Sequence, residues 1–237
     1  MKITLRIQRF DPARDAEPYF QDYELEAEPD DRLLDAIMHV KTRLDATLGL
    51  RKSCAHGICG SDAMLINGSE RLACKTLVRD VSGESPVITV QPLRGLPVQK
   101  DLMVDQDRFF SAFRSVKPYL INDAPAGGRE RIQSPEERAR FDDPTNCILC
   151  AACYSSCPVV RETNPKFIGP AAVVNAARFV FDSRDRGLKE RLPVLDDPNG
   201  VWPCENHFNC TRVCPRGIKV TKNINAMKKT IKDMKGS

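Results

Sequence analysis

The chain has 237 residues, enough for two domains of ordinary size. With 41% hydrophobic and 29% charged residues, its composition is that of a folded globular protein and not of a disordered one. Its 36 basic and 32 acidic residues leave a net charge of +4, which excludes the concentrated positive excess of a dedicated nucleic-acid binder.

From the N-terminus, Lys2–Phe10 alternates with Ile3, Leu5 and Ile7 on one face, and Tyr19–Ala27 does the same with Tyr23 and Leu25. Both predict half-buried strands. Asp11-Pro12 and Glu17-Pro18 punctuate the connection between them. After the acidic start Asp30-Asp31, the spacing of Leu33, Leu34, Ile37, Val40, Lys41 and Leu44 predicts a helix. Val87–Val90 predicts a further strand, and Pro92–Pro97 reads as the exit from this region. Two strands, a helix and then strands around a cysteine loop describe a β-grasp arrangement over residues 1–104. The second region, 105–237, reads as helical, giving an α+β fold class in all. Its predicted helices are Asp105–Val116, Pro170–Phe181 and Val220–Met234, with an irregular Gly, Pro and Ala-rich stretch at Asn122–Arg131.

No apolar run reaches the length that spans a bilayer. The opening Met1–Arg6 alternates apolar and polar residues in place of a signal-peptide core. The expected location is therefore the cytoplasm, or the cytoplasmic side of something to which the chain binds. Ten cysteines in that compartment point to metal or cluster ligation and away from disulfides.

Their spacing distinguishes three sites. Cys54-Ala-His-Gly-Ile-Cys59-Gly-Ser-Asp62, followed by Cys74, has the C-x₄-C-x₂-C…C frame of a plant-type [2Fe–2S] centre, with Asp62 in the third place. Gly57 and Gly60 permit the tight turns and the close amide approach that a loop around an anionic cluster requires. Asp62 is either the fourth iron ligand through oxygen or a solvated neighbour with water in that position. A zinc site on Cys54, Cys59 and Cys74 is the competing reading, although structural zinc usually takes a cysteine pair from each side. His56 lies within the loop and reads as a solvent-facing residue.

Cys147-Ile-Leu-Cys150-Ala-Ala-Cys153-Tyr-Ser-Ser-Cys157-Pro158 fits the bacterial run C-x₂-C-x₂-C-x₃-C-P without exception. The same frame recurs 57 residues later as Cys204, His207, Cys210, Cys214 and Pro215, with histidine in the second place. In such runs the fourth cysteine ligates the other cluster. Crossing assigns Cys147, Cys150, Cys153 and Cys214 to a [4Fe–4S] centre, and Cys157, Cys204 and Cys210 to a site one thiolate short. That site either holds [3Fe–4S] or uses His207 as a nitrogen ligand that keeps a fourth iron. The three sets account for all ten cysteines. With no G-x-G-x-x-G and no P-loop in the chain, substrate chemistry belongs elsewhere, since clusters pass single electrons.

These motifs in this order resemble the iron–sulfur subunits of succinate dehydrogenase and fumarate reductase. The flanking segments Arg51–Cys54, Arg94–Val98, Lys166–Ala171 and Phe181–Asp185 agree. The resemblance implies an N-terminal β-grasp [2Fe–2S] ferredoxin domain and a C-terminal helical ferredoxin domain holding [4Fe–4S] and [3Fe–4S]. It also implies an FAD-containing flavoprotein partner, membrane anchor subunits and quinone. Electrons would pass from FAD through [2Fe–2S], [4Fe–4S] and [3Fe–4S] to quinone, with the chain held peripherally on the cytoplasmic side of the cell membrane. A fumarate reductase would run the same wire in the opposite direction.

Near the quinone end the sequence departs from many members, which place tryptophan after the equivalent of Cys157 and histidine after that of Cys204. Here those positions read Val160-Arg161-Glu162 and Glu205, which leaves Pro158, Arg161 and His207 as quinone-site candidates. Two features carry paired readings. Val220, Ile224, Met227, Ile231 and Met234, among lysines, form either a lipid- or anchor-facing helix or a packed helix with a solvated lysine face. Trp202 either packs over a cluster or serves the quinone side.

Overall fold

The computed structural model describes residues 1–83, 86–124 and 130–236, so residues 125–129 of the irregular stretch Asn122–Arg131 lie outside the described residues. The chain forms two compact units, residues 1–106 with 148–156, and residues 107–147 with 157–237. The segment 148–156, within the region read from sequence as the second domain, thus belongs to the first unit.

In the first unit, strand β1 (Lys2–Arg9) runs antiparallel to β2 (Tyr19–Glu26), with Lys2 opposite Glu26 and Arg9 opposite Tyr19. The period-two pattern buries Ile3, Leu5 and Ile7 completely. β3 (Ala63–Ile66) and β4 (Ser69–Leu72) form a hairpin, and β5 (Val87–Gln91) joins it antiparallel through β3 and joins β1 in parallel. The mixed five-stranded sheet has the order β2-β1-β5-β3-β4. The predicted helix is α-helical over Leu33–His39 and widens to a π turn at Val40–Leu44, burying Leu33, Leu34, Ile37 and Val40. Asp30-Asp31 does not cap it. Arg32 holds the cap position, and Asp31 accepts a bond from the Glu28 amide at 2.9 Å.

A buried charge is tolerable only when partnered, and Arg9, 5% exposed, is partnered throughout. Its Nε donates to Asp101 at 3.0 Å and its Nη1 to Asp45 at 2.5 Å, while the Tyr23 hydroxyl donates to Asp45 at 2.7 Å. Burial opposes the charge on Asp45, but hydrogen bonds from Thr47, Tyr23 and Arg9 outweigh it and hold the carboxyl well below the usual range. Asp101 also accepts from the Gly49 amide at 2.7 Å, and Arg51 reaches the Val104 carbonyl at 2.5 Å. Residues 49–51 are therefore anchored to the small hairpin of β6 (Val98–Lys100) and β7 (Met103–Val104). The cysteine loop begins from that fixed point.

The second unit is helical. Helix Gly169–Val180, buried through its first nine residues, packs against the terminal helix Val220–Lys235. Val220, Ile224, Met227 and Ile231 are the buried stripe of the terminal helix, covered within the unit. Met234 of the expected stripe is exposed, Lys222, Lys229, Lys232 and Lys235 lie on the outer face, and half-buried Lys228 donates to the Cys204 carbonyl at 2.7 Å. Helix Leu188–Leu195 carries the fully buried Arg191. This guanidinium is forked onto Asp185 at 2.7 and 3.1 Å and caps the Lys117 and Tyr119 carbonyls at 3.1 and 2.6 Å. The segment Phe181–Asp185 therefore supplies buried ion partners, since Asp182 likewise pairs with Arg184 at 2.7 Å.

Candidate functional site

The Cys54–Asp62 loop turns through positive φ at Ala55 (59°), Gly57 (81°) and Gly60 (68°). These turns aim amides inward: those of His56 and Cys59 donate to the Cys54 sulfur at 3.5 and 3.3 Å, and the Cys54 amide to the Cys59 sulfur at 3.4 Å. The amides of His56 and Ile58 bring the Cys54 thiol down to about 6. Cys74 sits in a tight turn directly after β4 and is 2% exposed. Burial, followed by neighbouring Asp62, pushes its thiol up to about 12. The exposed His56 bonds its ring Nδ1 to the Cys54 carbonyl at 2.6 Å.

Asp62 is 2% exposed. Its Oδ2 accepts from the Cys74 amide at 2.6 Å, while Oδ1 is buried and unpartnered. An orphaned carboxylate oxygen costs about 1–3 kcal/mol or more, and ligation to iron would satisfy it. The donor set of three sulfurs and one free carboxylate oxygen, ringed by inward amides, therefore fits a [2Fe–2S] cluster.

Cys150 and Cys153 lie in the first unit, Cys147 and Cys214 in the second. In the first unit, a Cβ on Gly60 would lie 2.7 Å from the Cys150 Cβ and 2.9 Å from the Ile148 carbonyl. Glycine is thus what lets the two cysteine loops touch. In the second unit, the buried Asn175 amide donates to the Cys147 sulfur at 3.5 Å.

Cys157, Cys204 and Cys210 line one partly open cavity in the second unit. Its walls include Phe167, Pro170 and Ile224, so part of the segment Lys166–Ala171 serves as lining. Burial raises the thiols of Cys157 and Cys210. For Cys210 a contact with the Thr221 hydroxyl at 3.5 Å acts in the opposite direction. Pro158 and His207 also line the cavity. Arg161 lies outside that lining and pairs with Glu162 at 3.0 Å. The His207 ring is directed at Glu205, with Nε2 3.0 Å from Oε2. Trp202 bonds the Asp196 carboxylate at 3.0 Å, and its ring has the Lys232 and Lys235 ammonium groups 5.9 and 6.0 Å from its centre.

The sequence repeat is also a repeat of backbone conformation. Leu149 and Ala151, flanking Cys150, have φ of 54° and 62°; Asn206 and Phe208, flanking His207, have 61° and 62°. Short helices follow at Ala152–Ser155 and Asn209–Arg212. Left-handed non-glycine residues cost about 1–3 kcal/mol each and persist only where the surroundings impose them. His207 thus occupies, in register, the place that Cys150 takes in the complete run. Among the described residues, no three His, Cys, Asp or Glu side chains converge as ligands of a single metal ion would.

Three side chains that contact cysteine sulfurs were not anticipated from sequence: Ser61, 3.1 Å from the Cys59 sulfur, Asn175 and Thr221. Ser61 was visible within the motif. Asn175 and Thr221 arrive on helices, and no local signal marks them.

A model described as "2Fe-2S iron-sulfur cluster binding domain" matches residues 4–111, and one described as "4Fe-4S dicluster domain" matches residues 143–218. The chain is 45% identical over 224 residues to a succinate dehydrogenase iron–sulfur subunit of Coxiella burnetii, covering 94% of both chains. It is 35% identical to a fumarate reductase iron–sulfur subunit of Haemophilus influenzae, covering 94% of this chain and 90% of that one. A solved structure of the Mycobacterium smegmatis Sdh1 complex in the apo form contains a chain similar to this one with a TM-score of 0.89. That chain is 30% identical, with 100% of this chain and 98% of that one covered.

Proposed function

The chain belongs to the family of succinate dehydrogenase and fumarate reductase iron–sulfur subunits, and on that premise we propose how its residues divide the work. Its function is electron transfer within a succinate:quinone oxidoreductase, and the dicarboxylate chemistry lies on another subunit. We propose an N-terminal β-grasp ferredoxin-like domain, 1–104, and a helical ferredoxin-like domain, 105–237. Cys54, Cys59, Asp62 and Cys74 hold [2Fe–2S]; Cys147, Cys150, Cys153 and Cys214 hold [4Fe–4S]; Cys157, Cys204 and Cys210 hold [3Fe–4S]. When bound, such clusters supply one-electron chemistry at potentials tuned by ligands, hydrogen bonds and exposure.

The residues of the chain hold and shield these centres. The amides of His56 and Cys59 offset charge on the Cys54 sulfur. Phe167, Pro170 and Ile224 keep the third cavity apolar. No helix among the described residues is long and apolar enough to cross a membrane. The proposed setting is peripheral, on the cytoplasmic side of the cell membrane, between an FAD-containing flavoprotein and anchor subunits that bind quinone. Pro158 and His207 are the quinone-side residues favoured by their place on the cavity wall, and Arg161, outside it, is the weaker candidate.

The observation that carries this reading is the cavity that gathers three thiols while the second place of the frame is filled by a histidine turned toward Glu205. Low-temperature EPR of the purified complex, as isolated and after dithionite, tests it. An oxidised-state [3Fe–4S] signal and two further species on reduction are expected. Cys214→Ser should remove the [4Fe–4S] signal and spare the [3Fe–4S] one. Selective loss of the [3Fe–4S] signal in that variant would overturn the crossed assignment.

A further inference from the structure

We propose that Thr221, backed by Thr211, is a positioning residue that raises the reduction potential of the cluster held by Cys157, Cys204 and Cys210. This rests on the cluster assignment proposed above. Thr221 Oγ1 lies 3.5 Å from the Cys210 sulfur and 3.0 Å from Thr211 Oγ1, which in turn accepts the Thr221 amide at 3.0 Å.

Distances alone leave the hydroxyl directions open, but the chemistry of the ligand fixes that of Thr221, and Thr211, whose amide and hydroxyl also reach the Cys210 sulfur, is placed to back it. A cysteine bonded to iron has lost its proton, so its sulfur can only accept. Thr221 must then donate to Cys210, and its oxygen is left to accept from the Thr211 hydroxyl. Thr211 meets that demand because its own oxygen already receives the Thr221 amide. The result is a directed relay: Thr221 N–H to Thr211 Oγ1, Thr211 O–H to Thr221 Oγ1, and Thr221 O–H to the Cys210 sulfur. Hydrogen bonds in such chains polarise and strengthen one another.

Solvent cannot substitute for the relay, because Thr221 is 1% exposed and Cys210 is 7% exposed. Reduction adds one electron and makes the ligand sulfurs more negative, so a donor aimed at one of them favours the reduced form. Position in the fold adds to this. Thr221 lies in the first turn of the sixteen-residue helix Val220–Lys235, whose N-terminal end carries the positive pole of the macrodipole. A purely structural threonine would contribute stability and leave the potential where it is.

The test is an EPR-monitored redox titration of the assembled complex with Thr221→Val, Thr221→Ser and Thr211→Val. In Thr221→Val the reduction equilibrium of the [3Fe–4S] centre should fall about three- to tenfold, ~59 mV at the upper end for a one-electron couple. Thr221→Ser should restore it, and Thr211→Val should give a smaller shift of the same sign. The midpoints of the other two centres should not move. An unchanged midpoint in Thr221→Val, or an equal shift in Thr221→Ser, overturns the relay. Should Thr221→Val fail to assemble, Thr211→Val and the H₂O/D₂O shift of the iron–sulfur stretching bands in the unaltered complex decide the matter, and a null result in both overturns the relay. Absence of the [3Fe–4S] signal from the unaltered complex instead overturns the cluster assignment, a distinguishable result.

Discussion

Around Cys54, the groups that meet the sulfur are amides of the same loop, from His56 and Cys59, two and five residues away. Around Cys210, the amide and hydroxyl of the adjacent Thr211 are joined by a hydroxyl eleven residues on, that of Thr221, delivered by a helix whose apolar face packs on Gly169–Val180. The first arrangement is local and half open to solvent, and it needs glycines because backbone must come close. The third is partly nonlocal and, at Cys210 and Thr221, buried, and it needs correct helix packing before the Thr221 hydroxyl is in place. A centre stabilised by its own loop tolerates change elsewhere in the fold. One stabilised by a helix inherits every error in that helix.

The largest expected contrast lies in the two positions where the frame lacks cysteine. Asp62 presents an orphaned, buried oxygen, and His207 a ring already directed at Glu205. Asp62→Ala should therefore cost the [2Fe–2S] centre, read as loss of its reduced-state EPR signal and of iron and sulfide, whereas Asp62→Cys should retain it. His207→Ala should leave the oxidised-state [3Fe–4S] signal intact. If Asp62→Ala keeps its cluster, water is the fourth ligand. If His207→Ala loses the third, nitrogen ligation holds there.

Next in size is a pair of glycines with the same φ. Gly60 and Gly217 both have φ of 68°. A Cβ on Gly217 meets nothing within 4 Å, while one on Gly60 would press into Cys150 at 2.7 Å. Gly217→Ala should cost the left-handed strain alone, about 1–2 kcal/mol. Gly60→Ala should add an overpacking penalty of about 1–3 kcal/mol. Thermal denaturation of the two variants in the complex checks this, and equal shifts would show that the contact with Cys150 relaxes freely.

What the sequence disclosed follows the same division. Strands at Ile3–Ile7 and Tyr23–Leu25 and the terminal helix were legible because alternation and four–three spacing are local patterns. The β3–β4 hairpin turns at Asn67-Gly68, both at positive φ, a local signal that went unread along with the short strands around it. The terminal helix left two readings open, and only its burial against Gly169–Val180 decided for the packed one. The three cysteine groupings and the place of Asp62 were proposed from spacing, and the structure gathers Cys157, Cys204 and Cys210 on one cavity and sets Asp62 against the Cys74 amide. Arg9, Asp45 and Asp101, which anchor the first loop from up to 92 residues apart, were not found, because an ion network of that span leaves no periodic trace. Segment 148–156 belongs to the first compact unit for a similar reason: the contact of Gly60 with Cys150 is made in space.

The smallest contrast sets the two hydroxyl donors against each other. Ser61 stands 3.1 Å from the Cys59 sulfur, a shorter contact than the 3.5 Å between Thr221 and Cys210. Distance alone would make Ser61 the stronger tuner. Exposure argues the reverse: Ser61 and Cys59 are only half-buried, so water can take the place of a lost hydroxyl and keep most of its hydrogen bond. Thr221 has no such substitute at 1% exposure. Ser61→Ala should therefore shift the reduction equilibrium of the first centre by less than about twofold, below the roughly threefold minimum expected for Thr221→Val at the third. Both midpoints can be read in the same titration. A larger shift from Ser61→Ala would mean that hydrogen-bond length outweighs dryness in setting these potentials, and the distinction between an open site and a dry one would then lose its energetic content.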